Sequence, residues 1–332
     1  MIKTNLEKKE KFIIITGCEG FIGSNIAKKI NNLKQNYKII GCGSLNKKEK
    51  LENINKVKII DYWNKNKFFE NLKSIKSSQI KAIIHMGACS STNEWDGEYL
   101  MENNTAYTNK LIDYSIKNNI RLIHASSASV YGIKGEASKK SILDCIPLNM
   151  YAYSKLISDN YLINNYPKQK NITTLRFFNV FGINEKHKLG MASPIHTFNH
   201  QAREIGTISL FKEFEESSMF QRDFVSVNDI ANLIIELIDT KNCFGIFDAG
   251  TSSPSSFFLI ANLIKNWWQL KGKNININEI DFPDHLLGHY QAYTRANMSY
   301  INIKKFKWRP SKIELQISNF LEEFNSDFVI KL

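Results

Sequence analysis

A tyrosine and a lysine four residues apart form the pair with the clearest chemical use in this sequence. Tyr151 and Lys155 belong to the run M-Y-A-Y-S-K, whose spacing predicts one shared face of a helix. An ammonium beside a phenol favours the phenolate and lowers the tyrosine pKa from its usual value of about 10. Such a tyrosine can act as a base near neutral pH. Because the spacing also arises by chance, its meaning depends on what the fold brings beside it.

A serine at the end of an apolar run is the second candidate. Ser127 follows residues 121–126, which predict a buried strand. A hydroxyl at the carboxyl end of a strand in a parallel sheet points at the ligand crevice. Ser127 can there hydrogen-bond a substrate carbonyl or alkoxide, working with Tyr151. Serine-rich strand ends also form ordinary turns, so this interpretation needs support from elsewhere in the chain.

That support comes from a glycine loop near the N-terminus. The apolar run at residues 12–16 predicts a strand, Gly17, Gly20 and Gly23 follow it, and residues 24–33 have helical spacing. Strand, glycine loop and helix in this order form the phosphate site of a dinucleotide-binding fold. The loop, Ser127 and the Tyr151 pair together predict a nicotinamide-dependent enzyme.

The end of the second predicted strand bears on the choice between NAD and NADP. A carboxylate there binds the free 2′-hydroxyl of NAD, whereas basic residues accommodate the 2′-phosphate of NADP. This chain has Gly43 and Ser44 at that point, followed by Lys47, Lys48 and Lys50. The absence of an acid and the three lysines favour NADP, and a solvated basic loop is the alternative.

The fold class predicted from the pattern is α/β, with a doubly wound parallel Rossmann sheet and a smaller C-terminal α/β substrate lobe. Further strands are predicted at residues 37–41, 57–60, 82–85, 121–126 and 173–177, separated by helices that include residues 65–75 and 101–118. Residues 11–182 are predicted to form the dinucleotide-binding domain. Residues 183–330 are predicted to form the substrate lobe, interleaved with that domain, with a ligand between the two.

Composition limits the possible classes of function. The 332 residues carry a formal net charge of +12, but the lysines are spread along the chain, which favours an anionic small molecule over nucleic acid. The five cysteines lack Cys-x-x-Cys spacing and predict neither a disulfide framework nor a metal site. With no apolar leader or spanning run in the sequence, we expect a soluble, cytoplasmic protein without a membrane partner.

These motifs together resemble the extended short-chain dehydrogenase/reductase superfamily. The glycine loop, Ser127, Tyr151 and Lys155 are followed by the run R-F-F-N-V-F-G at residues 176–182. Finer stretches are similar to the ADP-L-glycero-D-manno-heptose 6-epimerase family. They lie at residues 87–92 (G-A-C-S-S-T), 94–97 (E-W-D-G), 185–188, 191–193, 222–225, 247–251 and 290–294.

The resemblance implies NADP-dependent epimerisation at C6 of an ADP-heptose, a precursor of the lipopolysaccharide core. A hydride would leave C6 to the cofactor and return to the other face of the ketone, which calls for two acid/base groups. The family's two groups match Tyr151 and Lys188, with Lys155 tuning the tyrosine. The resemblance also implies a homo-oligomer, a homopentamer in this family.

The resemblance further implies a set of binding residues. Those toward the cofactor, beside Lys155 and Lys188, are Gly17, Gly20, Phe21, Ile22, Gly23, Gly43, Ser44, Lys50, Lys65, Met86, Gly87, Ala88, Cys89, Ser90, Asn103 and Val180. Those toward the sugar nucleotide, beside Ser127, are Asn179, Gly190, Thr197, Phe211, Lys212, Glu213, Phe214, Arg222 and Tyr290. Arg222 is expected to hold the diphosphate as a bidentate donor.

Two residues depart from the family pattern at the cofactor end. Glu19 lies inside the glycine loop, where a carboxylate beside a pyrophosphate is unfavourable unless it points outward. Gly43 replaces an acid that the family has after the second strand. A UDP-sugar 4-epimerase and a non-catalytic dinucleotide sensor remain alternatives. Ala128 and Ser129 after Ser127, in place of an Asp-Glu pair, count against a 4,6-dehydratase.

Overall fold

The architecture is built on one seven-stranded parallel sheet. A computed structural model describes residues 11–35, 37–137, 144–212, 220–240, 243–284, 290–303 and 306–326. The sheet strands are β1 (Phe12–Thr16), β2 (Lys38–Gly43), β3 (Asp61–Asn64), β4 (Ile80–His85), β5 (Leu122–Ser127), β6 (Ile172–Phe177) and β11 (Gly245–Ala249). Their spatial order is β11-β6-β5-β4-β1-β2-β3, and every pairing is parallel. The predicted doubly wound sheet is confirmed.

The central strand shows why the sheet forms. Ile13, Ile14 and Ile15 of β1 are fully buried, because helices cover both faces of the sheet. A run of β-branched residues without polar alternation suits such a position. The chain order reverses between β1 and β4, and ligands bind at this kind of switch point, outside the carboxyl ends of the strands.

The helices flank this sheet or build the second lobe. They are α1 (Phe21–Asn31), α2 (Lys48–Ile54), α3 (Phe68–Leu72), α4 (Gly97–Leu100), α5 (Tyr107–Lys117), α6 (Met150–Asn165), α7 (Pro194–Glu204), α8 (Val227–Asp239), α9 (Phe257–Leu270), α10 (Ser299–Ile303) and α11 (Ile313–Phe324). A π-helical turn, Met101–Ala106, joins α4 to α5. Within the described ranges, no helix is long and apolar enough to span a membrane.

Two predicted elements on one side of the sheet were placed wrongly. The third strand is Asp61–Asn64 and not residues 57–60, because Trp63 enters the core while Ile60 is half exposed. Val57 and Ile59 pack on the core from the preceding loop, so their alternation imitates a strand. The helix predicted at residues 65–75 is shorter, with α3 preceded by a single turn at Lys65–Lys67.

The later part of the chain builds three small sheets and returns one strand to the main sheet. The small strands are β7 (Asn179–Phe181), β8 (Thr207–Phe211), β9 (Gln221–Arg222), β10 (Phe224–Ser226), β12 (Ser255–Ser256) and β13 (Asn276–Ile280). They pair as β10-β7, β12-β9 and β13-β8. Their core is a separate apolar cluster around Trp268 and Phe181, which the amphipathic α11 covers with Phe320. Since β11 pairs with β6 at the sheet edge, the two parts of the chain are interleaved.

Candidate active site

One cleft of about 1750 Å³ lies at the carboxyl ends of the strands and extends to the second lobe. All the site residues predicted from the sequence that the structure describes line this cleft. Glu213 and Phe214 lie outside the described residues. The members of the predicted set that line the cleft are Gly17, Gly20, Phe21, Ile22, Gly23, Gly43, Ser44, Lys50, Lys65, Met86, Gly87, Ala88, Cys89, Ser90, Asn103, Ser127, Tyr151, Lys155, Asn179, Val180, Lys188, Gly190, Thr197, Phe211, Lys212, Arg222 and Tyr290.

The glycine loop forms a backbone cradle at the start of α1. Gly17 has φ +64°, and a Cβ there would lie 2.7 Å from the backbone nitrogen of Gly87. A Cβ on Gly23 would lie 2.2 Å from the carbonyl oxygen of Gly17. Gly20 precedes the helix, and no described side chain caps its first turn, so backbone N–H groups face the cleft. This loop fits the pyrophosphate of a dinucleotide.

Asn104, which the sequence analysis did not predict as a site residue, holds the loop after β4 in place. Asn104 donates to the carbonyl oxygen of Cys89 and accepts from its N–H, both at 2.9 Å. The neighbouring Asn103 accepts from Lys65 at 2.7 Å. Both asparagines belong to the π-helical turn Met101–Ala106, and π turns recur at functional sites. The only sequence signal was a pair of polar residues inside an otherwise helical stretch.

Tyr151 lies at the first turn of α6, which Asn149 caps by accepting from the N–H of Ala152 at 2.8 Å. Burial raises the pKa of Tyr151, and a hydrogen bond with Ser127 lowers it. Ser129 donates its hydroxyl to Ser127 at 2.8 Å, so the Ser127 proton is available for the phenol or a ligand. Tyr151 is therefore a protonated phenol near neutral pH.

Lys155 is buried one turn further along α6, as the spacing predicted. Its ammonium donates to the carbonyl oxygen of Ala125 at 2.9 Å. Burial lowers the pKa of Lys155 to about 8, against the charge of Asp159, which raises it. The pKa of Tyr151 moves opposite to the direction expected from the spacing, because burial outweighs the other influences on the phenol. The lowering by Lys155 is expected for a helix that lies beside a nicotinamide, and it stays a prediction.

Lys188 stands on a short turn, Lys186–Met191, that a buried carboxylate holds in place. Glu185 is fully buried and accepts from the N–H groups of Gly182 and Ser193 at 3.0 and 2.6 Å. Its carboxylate lies 4.0 Å from the Lys188 ammonium, which is 5.3 Å from the ring of Phe21. Burial lowers the pKa of Lys188, while the charge of Glu185 raises it. Lys188 thus has a larger neutral fraction than an exposed lysine.

Asn53 of α2 connects this turn to the glycine loop. Its amide donates to the carbonyl oxygen of Glu19 at 3.0 Å and of Asn184 at 3.3 Å, and it lies 3.3 Å from Nδ1 of His187. The positions of Lys188 and the loop are therefore coupled through one side chain. Nothing in the sequence marked Asn53 among the many asparagines of this chain.

Arg222 is a cation of the substrate lobe that lines the cleft. Its guanidinium lies 4.8 Å from the ring of Tyr290, and its Nε is buried without a hydrogen-bond partner among the described residues. Burial lowers its pKa, against Tyr290, which raises it. An unpaired buried donor at the cleft wall suits a phosphate or carboxylate oxygen. Within the same described ranges, no group of three or more His, Cys, Asp or Glu side chains is placed to hold a metal.

Glu19 points away from the glycine loop toward the end of β2. Its Oε1 accepts from the N–H of Ser44 at 2.9 Å and from Lys50 at 3.3 Å, and its Oε2 accepts from Tyr62 at 3.0 Å. The side chain is almost completely buried yet lines the cleft. A carboxylate therefore lies beside Gly43, at the position where the sequence offered none.

The chain is similar to known sugar-nucleotide enzymes over most of its length. The model of the NAD dependent epimerase/dehydratase family matches residues 13–250. The ADP-L-glycero-D-manno-heptose-6-epimerase of Alkalilimnicola ehrlichii is 36% identical over 316 residues, covering 93% of this chain and 96% of the relative. The protein of the same name from Brachyspira hyodysenteriae is 39% identical over 292 residues, covering 86% and 89%.

A solved structure supports the fold. The ADP-L-glycero-D-manno-heptose-6-epimerase of Helicobacter pylori superposes with a TM-score of 0.80 at 22% identity, covering 98% of this chain and 100% of that one. The resemblance seen in the sequence motifs is confirmed by the two relatives at 36% and 39% identity. With relatives above 30% identity over most of its length and a family match across its glycine loop, Ser127 and Tyr151, the chain belongs to the NAD dependent epimerase/dehydratase family.

Proposed function

We propose that this protein interconverts the two C6 epimers of an ADP-heptose, ADP-D-glycero-D-manno-heptose and its L-glycero form. The relatives at 36% and 39% identity carry that activity in their names. The observation that carries the proposal is the pair of acid/base groups on separate elements of one cleft, Tyr151 and Lys188. Their pKa values are displaced in opposite directions, upward for the phenol and downward for the amine.

Opposite displacement of the two pKa values suits a reaction that inverts the configuration at C6. One group must accept the hydroxyl proton as the alcohol becomes a ketone, and the other must donate a proton when the alcohol forms again. A neutral Lys188 can accept, and a protonated Tyr151 can donate, in one direction; the roles reverse in the other direction. Environments that separate two pKa values in this way commonly assign acid and base roles. Lys188 keeps 25% of its side chain exposed and Tyr151 lines the cleft, so solvent can take the proton from the Lys188 ammonium and return one to the Tyr151 phenolate after each turnover.

The residues around the cleft fit a nicotinamide dinucleotide and a diphosphate. The N–H groups after Gly20 would hold the cofactor pyrophosphate, and Lys155 would lie at the nicotinamide end with Ser127 and Tyr151. A dinucleotide held there would supply the acceptor, and then the donor, of a hydride at the substrate carbon. Ser127 would orient the C6 oxygen by turning its hydroxyl proton from Tyr151 to the ligand, and Arg222 would bind the substrate diphosphate through its unpaired Nε–H.

The choice between the two dinucleotides depends on the end of β2. The prediction of NADP rested on Lys47, Lys48 and Lys50. Lys50 is paired with Glu19, Lys47 donates to the carbonyl oxygen of His187 at 3.4 Å, and Lys48 faces Glu52 on the surface. NADP as cofactor stays a prediction from the lysines and the resemblance, a cytoplasmic location stays a prediction from the composition, and a homo-oligomeric state stays a prediction from the resemblance.

Incubation of the purified protein with sugar nucleotides tests the proposal. We expect conversion of ADP-D-glycero-D-manno-heptose to a mixture of C6 epimers, followed by anion-exchange chromatography or proton NMR. Interconversion of UDP-glucose and UDP-galactose, with ADP-heptose unchanged, would instead make the protein a UDP-sugar 4-epimerase. Binding of a dinucleotide with no turnover of either sugar would support the sensor alternative.

A further inference from the structure

The carboxylate of Glu19 occupies a position that normally belongs to another element. In a dinucleotide fold, the acid that binds the adenosine ribose stands at the end of the second strand. Here the acid comes from the glycine loop and reaches across to that strand end. The N–H of Ser44, one residue past β2, donates to Oε1 of Glu19 at 2.9 Å and fixes its place.

Gly43 makes this arrangement possible. A Cβ on Gly43 would lie 2.0 Å from Oε2 and 2.5 Å from Cδ of Glu19. Any side chain at position 43 would therefore displace Glu19 from its place. Glu19 and Gly43 therefore form one arrangement, in which the glycine loop supplies the acid and the glycine at the end of β2 leaves room for it.

The hydrogen bonds of Glu19 leave room for a ribose hydroxyl. An ionised carboxylate has about four acceptor positions. Three donors reach it from the described part of the chain, the Ser44 N–H, the Lys50 ammonium and the Tyr62 hydroxyl. Among the described residues, Oε2 has one donor and Oε1 has two, so an acceptor position of Oε2 is left, and the side chain lines the cleft. A ribose 2′-hydroxyl can donate to it, whereas a 2′-phosphate is an acceptor with about −1.5 to −2 charge and is repelled.

Lys50 pairs with the Glu19 carboxylate and is therefore less available to an anionic ligand. Its ammonium donates to Glu19 at 3.3 Å and to the carbonyl oxygen of Ser44 at 3.0 Å, and its side chain is only 19% exposed. Such a partner offsets part of the cost of burying a carboxylate. Lys48 is 84% exposed beside Glu52 and does not line the cleft.

We propose that Glu19 is the residue that makes this site select NAD over NADP. The inference rests on the proposed use of a nicotinamide dinucleotide and reverses the preference for NADP that the lysines and the family resemblance both led us to expect. Its ligand is the free ribose diol of NAD, and its partner in the selection is Gly43, which admits the carboxylate.

Titration of the cofactor-free protein with NADH and NADPH, read by nicotinamide fluorescence, tests the proposal without turnover. We expect NADH to bind at least about ten-fold more tightly, because like charges in contact cost several kcal/mol. Glu19→Gln keeps the shape and removes the charge, so it should reduce the ratio of the two dissociation constants by about ten-fold or more. Lys48→Gln is the matched control, which should leave that ratio unchanged.

A second variant keeps the test decisive if Glu19→Gln folds poorly. Glu19→Ala with Gly43→Asp supplies the carboxylate from β2, and it should prefer NADH more strongly than Glu19→Ala alone. Nucleotide released from the purified protein by denaturation should be NAD. Equal or tighter NADPH binding by the unaltered protein, or an unchanged ratio in Glu19→Gln, would overturn the role of Glu19. Failure to bind either nucleotide would overturn the dinucleotide site itself, and this inference with it.

Discussion

The two proposed acid/base residues stand on very different supports. Tyr151 lies on α6, a regular helix of 16 residues whose first turn Asn149 caps. Lys188 lies on a six-residue turn with a non-helical residue, Leu189, directly after it. The buried carboxylate of Glu185 holds that turn by accepting from two backbone N–H groups. The phenol of Tyr151 is thus positioned by local helix formation, whereas the amine of Lys188 is positioned by contacts of Glu185 with the backbone of its turn.

Removal of both the Tyr151 phenol and the Lys188 amine should have the largest effect on turnover. Tyr151→Phe and Lys188→Met should each lower kcat roughly 10² to 10⁴-fold, the usual contribution of one acid or base, and leave a residual rate. The double variant should lose C6 epimerisation completely, as measured by NMR of the ADP-heptose. The exposed neighbours serve as controls, since Tyr153→Phe and Lys186→Met should retain full turnover. Unimpaired turnover in the double variant would refute the two-base assignment.

Glu185→Gln should loosen the turn without touching α6. The amide would turn an N–H group toward a backbone donor, so we expect the free energy of unfolding to fall by about 1 to 3 kcal/mol. We expect kcat/KM to fall about ten-fold, since misplacement of an acid/base group is costly. The charge of Glu185 raises the pKa of Lys188, so its removal should move the rising limb of the pH profile to lower pH.

The control for Glu185→Gln is Glu323→Gln, which removes an exposed ion pair with Lys28. Such pairs contribute about 0 to 1 kcal/mol, and neither stability nor the pH profile should change appreciably. If the rising limb of the pH profile stays in place or moves to higher pH in Glu185→Gln, Glu185 does not raise the pKa of Lys188.

Leu189→Gly should have the smallest effect and the opposite sign for stability. Leu189 has φ +51° and ψ −127°, a conformation that costs a residue with a Cβ about 1 to 3 kcal/mol. Its side chain is 73% exposed, so little packing is lost. Glycine adds entropy to the unfolded chain and offsets part of the gain. Urea titration should show a net increase of about 1 kcal/mol, and a decrease would mean that the leucine stabilises the turn.

The sequence predicted well what depends on local pattern. The strand β1, the glycine loop and α1 follow from a β-branched run, three spaced glycines and helical periodicity, and the structure has all three. β3 was misplaced because Val57 and Ile59 alternate like a strand, while the buried Trp63 decides the true position. The seventh strand, β11, could not be assigned to the main sheet, since its partner β6 lies about seventy residues earlier in the chain.

The chemistry of the site was harder to predict from the sequence than the fold, because it depends on tertiary contacts. The lysines after Gly43 suggested a basic pocket, because no local rule shows that Glu19 reaches across to Ser44 and pairs with Lys50. The net direction of the Tyr151 pKa could not be predicted for a similar reason, because the spacing fixes the common face of Tyr151 and Lys155 but not their burial. Burial depends on the whole fold, and it dominates both pKa values.

The pH profile of kcat/KM for ADP-heptose, compared between the unaltered protein and its single variants, tests the central claim most directly. If a neutral Lys188 accepts the proton, the rate in the direction that uses it as base should rise through a pKa below 10.5. The residual activity of Lys188→Met should lack that limb, and Tyr151→Phe should keep it. A limb that persists in Lys188→Met, or disappears in Tyr151→Phe, would contradict the assignment of the amine as base and the phenol as acid.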